Sequence, residues 1–341
     1  MSEEHFLEKG PWTQLKHNLL KTVLSASLEG TLNSNFTYID GFAGSNTFDD
    51  GAFGSPSIAM DTIIDYLNNN SRKKSLLVNS IFFELKEDMF LQLEGSIQKY
   101  LGINDRLKII LKNYDFYSGN QQASLMSCNG SGLIFIDPFG IRDYSTKPIE
   151  FCSTINSNFD VLINFPFYPM KRVVGQGTNS RFQGSRDRLE TALELDYDKD
   201  NGKLFDSYIN LLKLKYPSVN VIDLNRGDSQ LYKLILCTKN LAPLIAFNDY
   251  KSGTQPSLLS AYFSNTINSK LSKNSGIQYR RLFIELLNEN FGMISSSLIK
   301  NHITKLFESG SLCAKKSSNG HYTYTPKDFK VKELEYLQLV V

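Results

Sequence analysis

Short apolar runs alternate with segments of helical spacing between Pro11 and Cys237, and this alternation restricts the fold more than any other feature of the sequence. Apolar runs of this length that lack a polar face predict strands buried on both sides. Strands joined through helices form a mostly parallel sheet with right-handed crossovers, so a doubly wound α/β fold is expected. The predicted strands are Phe36–Asp40, Ser80–Glu84, Leu107–Leu111, Gly132–Ile136, Phe159–Phe165, Val219–Leu224 and Tyr232–Cys237. The predicted helices are Pro11–Leu28, Pro56–Leu67, Met89–Leu101 and Phe205–Leu214.

A turn of small residues follows the first predicted strand, which ends at Asp40. Its small residues are Gly41, Ala43 and Gly44. Such residues let the backbone approach a nucleotide-like ligand, although plain tight turns also use them. The next helix is expected to begin at Pro56, with Ser55 as its N-cap.

Acidic residues follow the ends of the later strands. They are Glu84, Asp115 and Asp137. Doubly wound sheets bind ligands at the carboxyl ends of their strands, where an acidic residue accepts hydrogen bonds from ribose hydroxyls. Glu84 fits that role and Asp115 is placed to face a base, although either can also be a solvated surface residue.

The third acidic residue, Asp137, is followed by Pro138 and Phe139. Proline disfavours the helical conformation in the residue before it, so this step holds a carboxylate rigidly at the strand end. We expect that carboxylate to accept hydrogen bonds from a reacting amine, and Phe139 to stack on a planar base. The alternative is a strand-terminating turn with a buried phenylalanine.

The loop after the fifth strand is rich in positive charge. Its basic residues include Lys171, Arg172, Arg181 and Arg186. A basic loop at this place can follow a phosphate backbone near the site. A solvated loop with no ligand is the alternative.

The organisation changes after Asn248. Helical spacing returns over Leu258–Leu271, and two amphipathic helices are predicted at 279–290 and 296–309. A hairpin formed by 312–316 and 321–325 follows. We therefore expect a first domain over residues 1–270 and a small winged-helix domain over residues 271–341.

Positive charge is concentrated in the second predicted domain. From Lys270 onward, 11 Lys and Arg residues accompany 6 Asp and Glu residues. Lys315 and Lys316 lie in the predicted hairpin, where winged-helix domains meet nucleic acid. Winged helices also mediate protein contacts, so both kinds of partner stay open.

The whole composition excludes some classes of protein. The net charge of +2 gives no general argument for nucleic acid or membrane. The four cysteines, at positions 128, 152, 237 and 313, lack CxxC or metal-ligand spacing and predict isolated thiols in a reducing cytosol. No metal site is expected. The polar start and the lack of a long apolar stretch predict a cytoplasmic protein.

Several segments, taken as a set, resemble the three-Cys-motif partner family. They are Tyr38–Ser45, Gly54–Pro56, Phe83–Glu84, Phe135–Gly140, Leu162–Phe165, Arg186–Leu189 and Tyr232–Ile235. The family is similar to class I S-adenosylmethionine-dependent methyltransferases. The resemblance therefore implies a Rossmann-like class I methyltransferase sheet and S-adenosylmethionine as cofactor.

The resemblance also implies roles for the residues introduced above. The cofactor would be held by Asp40, Gly41, Ala43, Gly44 and Glu84, with Asp115 toward its adenine. The acceptor would be met by Asp137, Pro138 and Phe139. The order of these motifs is that of adenine-N6 methyltransferases, so nucleic-acid methylation is the implied activity.

Two positions depart from the methyltransferase pattern. Asn46 occupies a place where glycine is usual, but asparagine tolerates positive φ. Gly140 occupies the place of the stacking aromatic residue. These departures favour the alternative, a non-catalytic binding module that has a methyltransferase-like fold and partners a three-Cys-motif radical-SAM-like protein.

Overall fold

The computed structural model describes residues 11–32, 35–47, 51–70, 73–117, 130–138, 158–168, 170–171, 187, 201–226, 229–253, 266–271, 277–309, 311–315 and 336–339. The chain divides into two compact units, Met1–Pro243 and Leu244–Val341. This division falls inside a helix, Leu241–Ser252. The domains expected at 1–270 and 271–341 stay a prediction.

A seven-stranded sheet lies at the centre of the described part of the first unit. Its strands are β1 (Asn35–Asp40), β2 (Leu77–Phe83), β3 (Leu107–Lys112), β4 (Ser131–Ile136), β5 (Phe159–Phe165), β6 (Ser218–Arg226) and β7 (Ser229–Thr238). The order is β3-β2-β1-β4-β5-β7-β6. Strands β1 to β5 are parallel, whereas β7 runs antiparallel to β5 and β6. The expected mixed α/β, Rossmann-like sheet is confirmed.

Helices of the first unit lie where the apolar spacing predicts them, with small shifts at their ends. They are α1 (Pro11–Gly30), α2 (Ser55–Asn69), α3 (Glu87–Ile97) and α4 (Asn201–Lys215), with a 3₁₀ turn at Gln98–Tyr100. The expected N-cap of α2 is wrong. Gly54 is the cap residue and Ser55 is the first helical residue, so the Ser55 hydroxyl is available to another partner.

Strands β4 and β5 are buried along their whole length, as expected for strands covered on both faces. On one face, their side chains join a core cluster with Ile39, Ile81 and Phe83. Strand β3 is more exposed because it forms the edge of the sheet. This packing fixes the carboxyl ends of β1, β2 and β4 relative to each other.

The second unit begins within α5 (Leu241–Ser252). It contains helical residues 266–271, α6 (Tyr279–Glu289), α7 (Ser296–Glu308) and a three-stranded antiparallel sheet. The sheet has the order β8-β10-β9, from Ile277–Gln278, Tyr336–Leu339 and Leu312–Lys315. Both predicted amphipathic helices are confirmed. The hairpin partner predicted at 321–325 lies outside the described residues.

The start of α7 is tied to the end of α5 by polar side chains of the second unit. Asn248 is fully buried, donates to the Ile294 carbonyl at 2.8 Å and accepts from the Gly292 N–H at 2.9 Å. Asp249 accepts from the Ser296 backbone N–H at 2.7 Å. A carboxylate at a helix N-terminus satisfies a backbone donor that lacks an intrahelical partner. The last turns of α5 therefore pack with α7.

No helix in the described ranges has both the length and the apolar character that a membrane crossing needs. The same ranges contain no group of three or more His, Cys, Asp or Glu side chains arranged to hold a metal ion.

Candidate functional site

The order of the strands reverses beside β1, which pairs with β2 on one side and with β4 on the other. Such a switch point opens a crevice at the carboxyl ends of the strands, where doubly wound sheets bind their ligands. Asp40 ends β1, while Glu84 and Asp137 directly follow β2 and β4. The fold thus brings these three predicted residues to one edge of the sheet.

The glycine-containing turn is bonded to both neighbouring strands. Gly41 donates its backbone N–H to the Phe135 carbonyl at 3.0 Å, and Ala43 donates to the Phe83 carbonyl at 2.8 Å. Gly44 donates to Glu84 Oε2 at 2.9 Å and has a φ of +63°. Glycine adopts a positive φ easily because it has no Cβ atom, so the backbone conformation favours glycine at position 44.

Gly41 is small for a reason different from the predicted ligand approach. A Cβ atom at this position would lie 2.9 Å from Cδ1 of Phe116. The Phe116 ring therefore covers the backbone where a side chain would stand. This ring belongs to an aromatic cluster, with centroid separations of 5.3 Å to Phe83 and 6.2 Å to Phe42.

Asn46 locks the far end of the turn. Its φ of 67° confirms that asparagine takes the left-handed conformation here. Its buried side chain donates to the hydroxyls of Ser57 and Ser96, each at 2.9 Å, and accepts the Ser57 backbone N–H at 2.8 Å. The turn is thus tied to the first residues of α2 and to α3. Sequence reasoning anticipated the backbone conformation but missed these three hydrogen bonds.

Glu84 is buried, and its carboxylate accepts hydrogen bonds from two backbone donors. Its Oε2 accepts from Gly44, and its Oε1 accepts from the Lys86 N–H at 2.8 Å. Each carboxylate oxygen can accept a second hydrogen bond. The carboxylate is therefore held in place with acceptor capacity left for two neighbouring hydroxyls.

Asp115 lies in an exposed turn just after β3. Its carboxylate accepts the Tyr117 backbone N–H at 3.0 Å and so shapes the turn. Phe116 and Tyr117, which follow it, both contact the Phe42 ring. The turn therefore presents aromatic rings beside Phe42 in addition to the predicted carboxylate.

Asp40 lies at the floor of the crevice and is fully buried. Its oxygens accept from the Ser55 hydroxyl at 2.7 Å and from the Phe42 backbone N–H at 3.2 Å. Burial raises the pKa of Asp40 to about 7, and the two hydrogen bonds act against this rise. Asp40 therefore changes charge near neutral pH.

Asp137 is held between two elements that are distant in sequence. Lys16 of α1 lies 2.5 Å from its Oδ2, and the Asn164 side-chain amide donates to its Oδ1 at 2.6 Å. Pro138 is buried beside it. Phe139, predicted to meet the acceptor, lies outside the described residues.

The charge of Asp137 affects the pKa of two tyrosines. Burial raises the pKa of Tyr38 well above its ordinary value, and the neighbouring Asp40 and Asp137 raise it further. Burial also raises the pKa of Tyr232, with Asp137 as the second cause. Sequence reasoning missed Lys16, Ser55 and Tyr232 as site residues, because no local motif marks them and only the fold brings them to the carboxylates.

Most of the predicted nucleic-acid-binding residues fall outside the described part of the chain. Lys171 is described and exposed. The backbone of Lys315 lies in β9, paired with Tyr336. The residues outside the described ranges are Arg172, Arg181, Arg186 and Lys316.

The strand order, the bonded glycine turn and the acidic strand ends define a Rossmann-like α/β protein with a crevice at the switch point of its sheet. No protein-family model and no curated protein matches the sequence. Solved structures do match. One is Trm1 from Pyrococcus horikoshii in complex with S-adenosyl-L-methionine, at 9% identity and a TM-score of 0.40, over 73% of this chain and 61% of that one.

Two further solved structures are similar to the chain. Spermidine synthase from Thermotoga maritima matches at 14% identity with a TM-score of 0.37, over 72% of this chain and 65% of that one. Protein LPL1258 from Legionella pneumophila matches at 14% identity with a TM-score of 0.39, over 84% and 96%. The chain spans less than two thirds of the length of Trm1 and of the spermidine synthase.

Proposed function

We propose that the first unit binds S-adenosylmethionine and transfers its methyl group to an acceptor that meets Asp137. The observation that carries the proposal is the Glu84 carboxylate, which is fixed by the Gly44 and Lys86 N–H groups at a topological switch point. A carboxylate fixed there, with free acceptor capacity, suits the paired hydroxyls of a ribose.

The rest of the cofactor follows from that placement. The adenine would lie toward the turn of Asp115 and the aromatic cluster of Phe42, Phe116 and Tyr117. The methionine part would lie over the glycine turn, near Asp40. The sulfonium is a cation, so nearby carboxylates favour its binding. Two carboxylates, of Asp40 and Asp137, come together at this end of the crevice.

Methyl transfer depends mainly on how the acceptor and the methyl group are positioned. In the transfer, an acceptor lone pair attacks the methyl carbon in line with the carbon–sulfur bond. That bond breaks, its electron pair stays on sulfur, and the acceptor later loses a proton. Alignment of the two reactants supplies most of the rate enhancement in such a step. Asp137, oriented by Asn164, would accept a hydrogen bond from an acceptor amine, and Phe139 would pack near the acceptor.

For the acceptor we propose nucleic acid, with adenine N6 as the specific target. The basic residues of the loop after β5 support this, as do Lys315 and Lys316. In the second unit, β8 comes before the helices α6 and α7, while β9 and β10 follow them, and the three strands form one antiparallel sheet. This order of elements supports a winged-helix domain, which we include in the proposal. Charge reversal at Lys315 and Lys316 is expected to weaken binding of duplex and single-stranded oligonucleotides, while unchanged affinity would oppose a nucleic-acid acceptor.

A second candidate is a non-catalytic module that partners a three-Cys-motif radical-SAM-like protein. It is favoured by one specific contact, in which the Lys16 ammonium already occupies the Asp137 carboxylate that an acceptor amine would need. Such a module would bind the cofactor or a partner without methyl transfer. Transfer from labelled S-adenosylmethionine to an oligonucleotide would exclude it.

Calorimetry with S-adenosylmethionine tests the cofactor site. We expect the wild-type protein to bind, and Glu84→Gln to bind roughly 10- to 100-fold more weakly, because an amide cannot accept from both N–H groups and a ribose. Glu87→Gln, which neutralises an exposed carboxylate three residues away, serves as the control and should bind like wild type. Equal affinity of Glu84→Gln and wild type would refute the assignment of Glu84.

A further inference from the structure

Lys16 stands out because it joins an ion pair inside the crevice from a helix that carries none of the predicted motifs. The Lys16 Nζ atom lies 2.5 Å from Asp137 Oδ2, and the two side chains are only 15% and 16% exposed. An ion pair withdrawn from water is favourable only when its geometry is good and the remaining polar atoms are bonded. The second oxygen of Asp137 meets that condition through Asn164.

The position of Lys16 is fixed by the packing of α1. Leu20, Val23 and Leu24 of this helix are fully buried, and α1 packs against α2 and against strands β4, β5 and β6. Lys16 therefore contacts Asp137 from a helix that is packed against the sheet. The contact is part of the architecture of the first unit.

A second carboxylate lies within the influence of this pair. Asp40 is fully buried, and burial is the largest cause that raises its pKa. Hydrogen bonds from Ser55 and Phe42 lower the pKa, the charge of Asp137 raises it, and the charge of Lys16 is a further, smaller cause that lowers it. The crevice thus holds two carboxylates and one cation that acts on both.

We propose that Lys16 is a positioning residue that serves as the shared counter-ion of the acceptor-side carboxylate Asp137 and the cofactor-side carboxylate Asp40. The proposal deepens the methyl-transfer function and rests on it. Through Asp137, Lys16 holds the group that meets the acceptor. Through its charge, it keeps Asp40 able to carry the negative charge that a sulfonium cofactor requires.

The other groups that face Asp40 do not replace Lys16. They are the Ser55 hydroxyl from α2, Tyr38 from β1, Asp137 after β4 and, through Asp137, Tyr232 from β7. Glu84 after β2 is bonded to the glycine turn. Among these described groups, each is neutral or anionic, so loss of Lys16 leaves Asp40 and Asp137 without a cation.

Binding of S-adenosylmethionine, measured by calorimetry between pH 6 and pH 9, tests the proposal in four variants. In the wild type, affinity should rise with pH as Asp40 ionises near pH 7. Lys16→Met should move the midpoint of this rise upward, because it removes the cation that lowers the pKa of Asp40. Asp137→Asn should move it downward, and Lys16→Arg should leave it in place. The double variant Lys16→Met/Asp137→Asn should bring it back toward wild type.

Two results would overturn the proposal: an unchanged midpoint in Lys16→Met, or a double variant no nearer to wild type than Lys16→Met alone. A merely structural role of Lys16 would change affinity at all pH values without moving the midpoint. Asp137→Asn is close to isosteric and tests the same coupling with the opposite sign if Lys16→Met folds poorly.

A failure of the proposed function is distinguishable from a failure of this inference. If the wild type binds no S-adenosylmethionine, the cofactor assignment fails, and thermal unfolding of the cofactor-free variants still tests Lys16. Stability should fall as pH rises toward the pKa of Asp40, since the buried acid prefers its protonated form. The fall should extend to higher pH in Lys16→Met and end at lower pH in Asp137→Asn. Superimposable pH profiles for wild type and both variants would overturn the shared counter-ion.

Discussion

Replacing Asn46 with alanine removes the side chain that joins the glycine turn to α2 and α3. Three hydrogen bonds are lost, two to serine hydroxyls at 2.9 Å and one from the Ser57 N–H at 2.8 Å. Each is worth about 1 kcal/mol net, and the buried Ser57 N–H is left without its acceptor. Alanine also takes the left-handed conformation at a cost of about 1 kcal/mol more than asparagine. The expected loss of unfolding free energy is therefore about 4 kcal/mol.

Urea unfolding followed by far-UV circular dichroism measures this loss, and two neighbouring substitutions separate its parts. Asn46→Gly loses the same hydrogen bonds but adopts a positive φ freely, so it should be about 1 kcal/mol more stable than Asn46→Ala. Ser45→Ala loses one hydrogen bond, from its hydroxyl to the Thr47 carbonyl, at an exposed site. It should cost about 0.5 kcal/mol.

The prediction would be refuted if Asn46→Ala lost less than about 1 kcal/mol, since two buried hydrogen bonds and one partly buried one cannot be lost at so small a cost. An Asn46→Gly variant less stable than Asn46→Ala would refute the conformational part alone. Cofactor affinity provides a second readout, because the turn should move in both variants and remain in place in Ser45→Ala.

Two other substitutions test the packing of the turn and a buried carboxylate. Gly41→Ala should lower the free energy of unfolding by about 1 to 3 kcal/mol, because its Cβ would meet the Phe116 ring. Adding Phe116→Leu to this variant should recover part of that loss. Equal stability of Gly41→Ala and wild type in urea would contradict the ring contact. Asp160 is buried beside Thr238 and Asn240, and burial raises its pKa to about 7. Its protonated form is favoured in the fold, so stability should fall as pH rises from about 4 toward 7. Asp160→Asn should remove roughly half of this fall in thermal-unfolding midpoints, with Asp40 supplying the rest, and an unchanged slope would count against the raised pKa.

The strands illustrate what local sequence patterns can predict. The sheet was predictable because strands covered on both faces need apolar side chains at most positions, and such runs are visible in the sequence. β5 was predicted with its observed ends, Phe159–Phe165. β2 is predicted to start at Ser80 but starts at Leu77. Polar Asn79 separates Leu77 and Val78 from the apolar run, so the sequence pattern does not show that they belong to the strand. No single apolar run in the sequence determines the order in which the strands pair.

Some residues of the candidate site can be predicted from local sequence, and others are placed there only by the fold. Asp40, Glu84 and Asp137 were predictable because each stands at the end of an apolar run. Lys16 was not, because it lies in an ordinary amphipathic helix and meets Asp137 only through the packing of that helix. Ser55 is predicted to be the N-cap of α2, and this is wrong. Its hydroxyl donates a hydrogen bond to Asp40, and Gly54 takes the cap position.

The sequence by itself determined the α/β class, the positions of the strand ends and the small-residue turn, because burial and backbone sterics act within a few residues. Only the tertiary structure decided that Phe116 covers Gly41, that Glu84 bonds the turn and that Lys16 pairs with Asp137. Those contacts join residues far apart in the chain, so their existence depends on strand order and helix packing. The charge balance of the crevice, on which the proposed chemistry depends, is therefore a property of the fold.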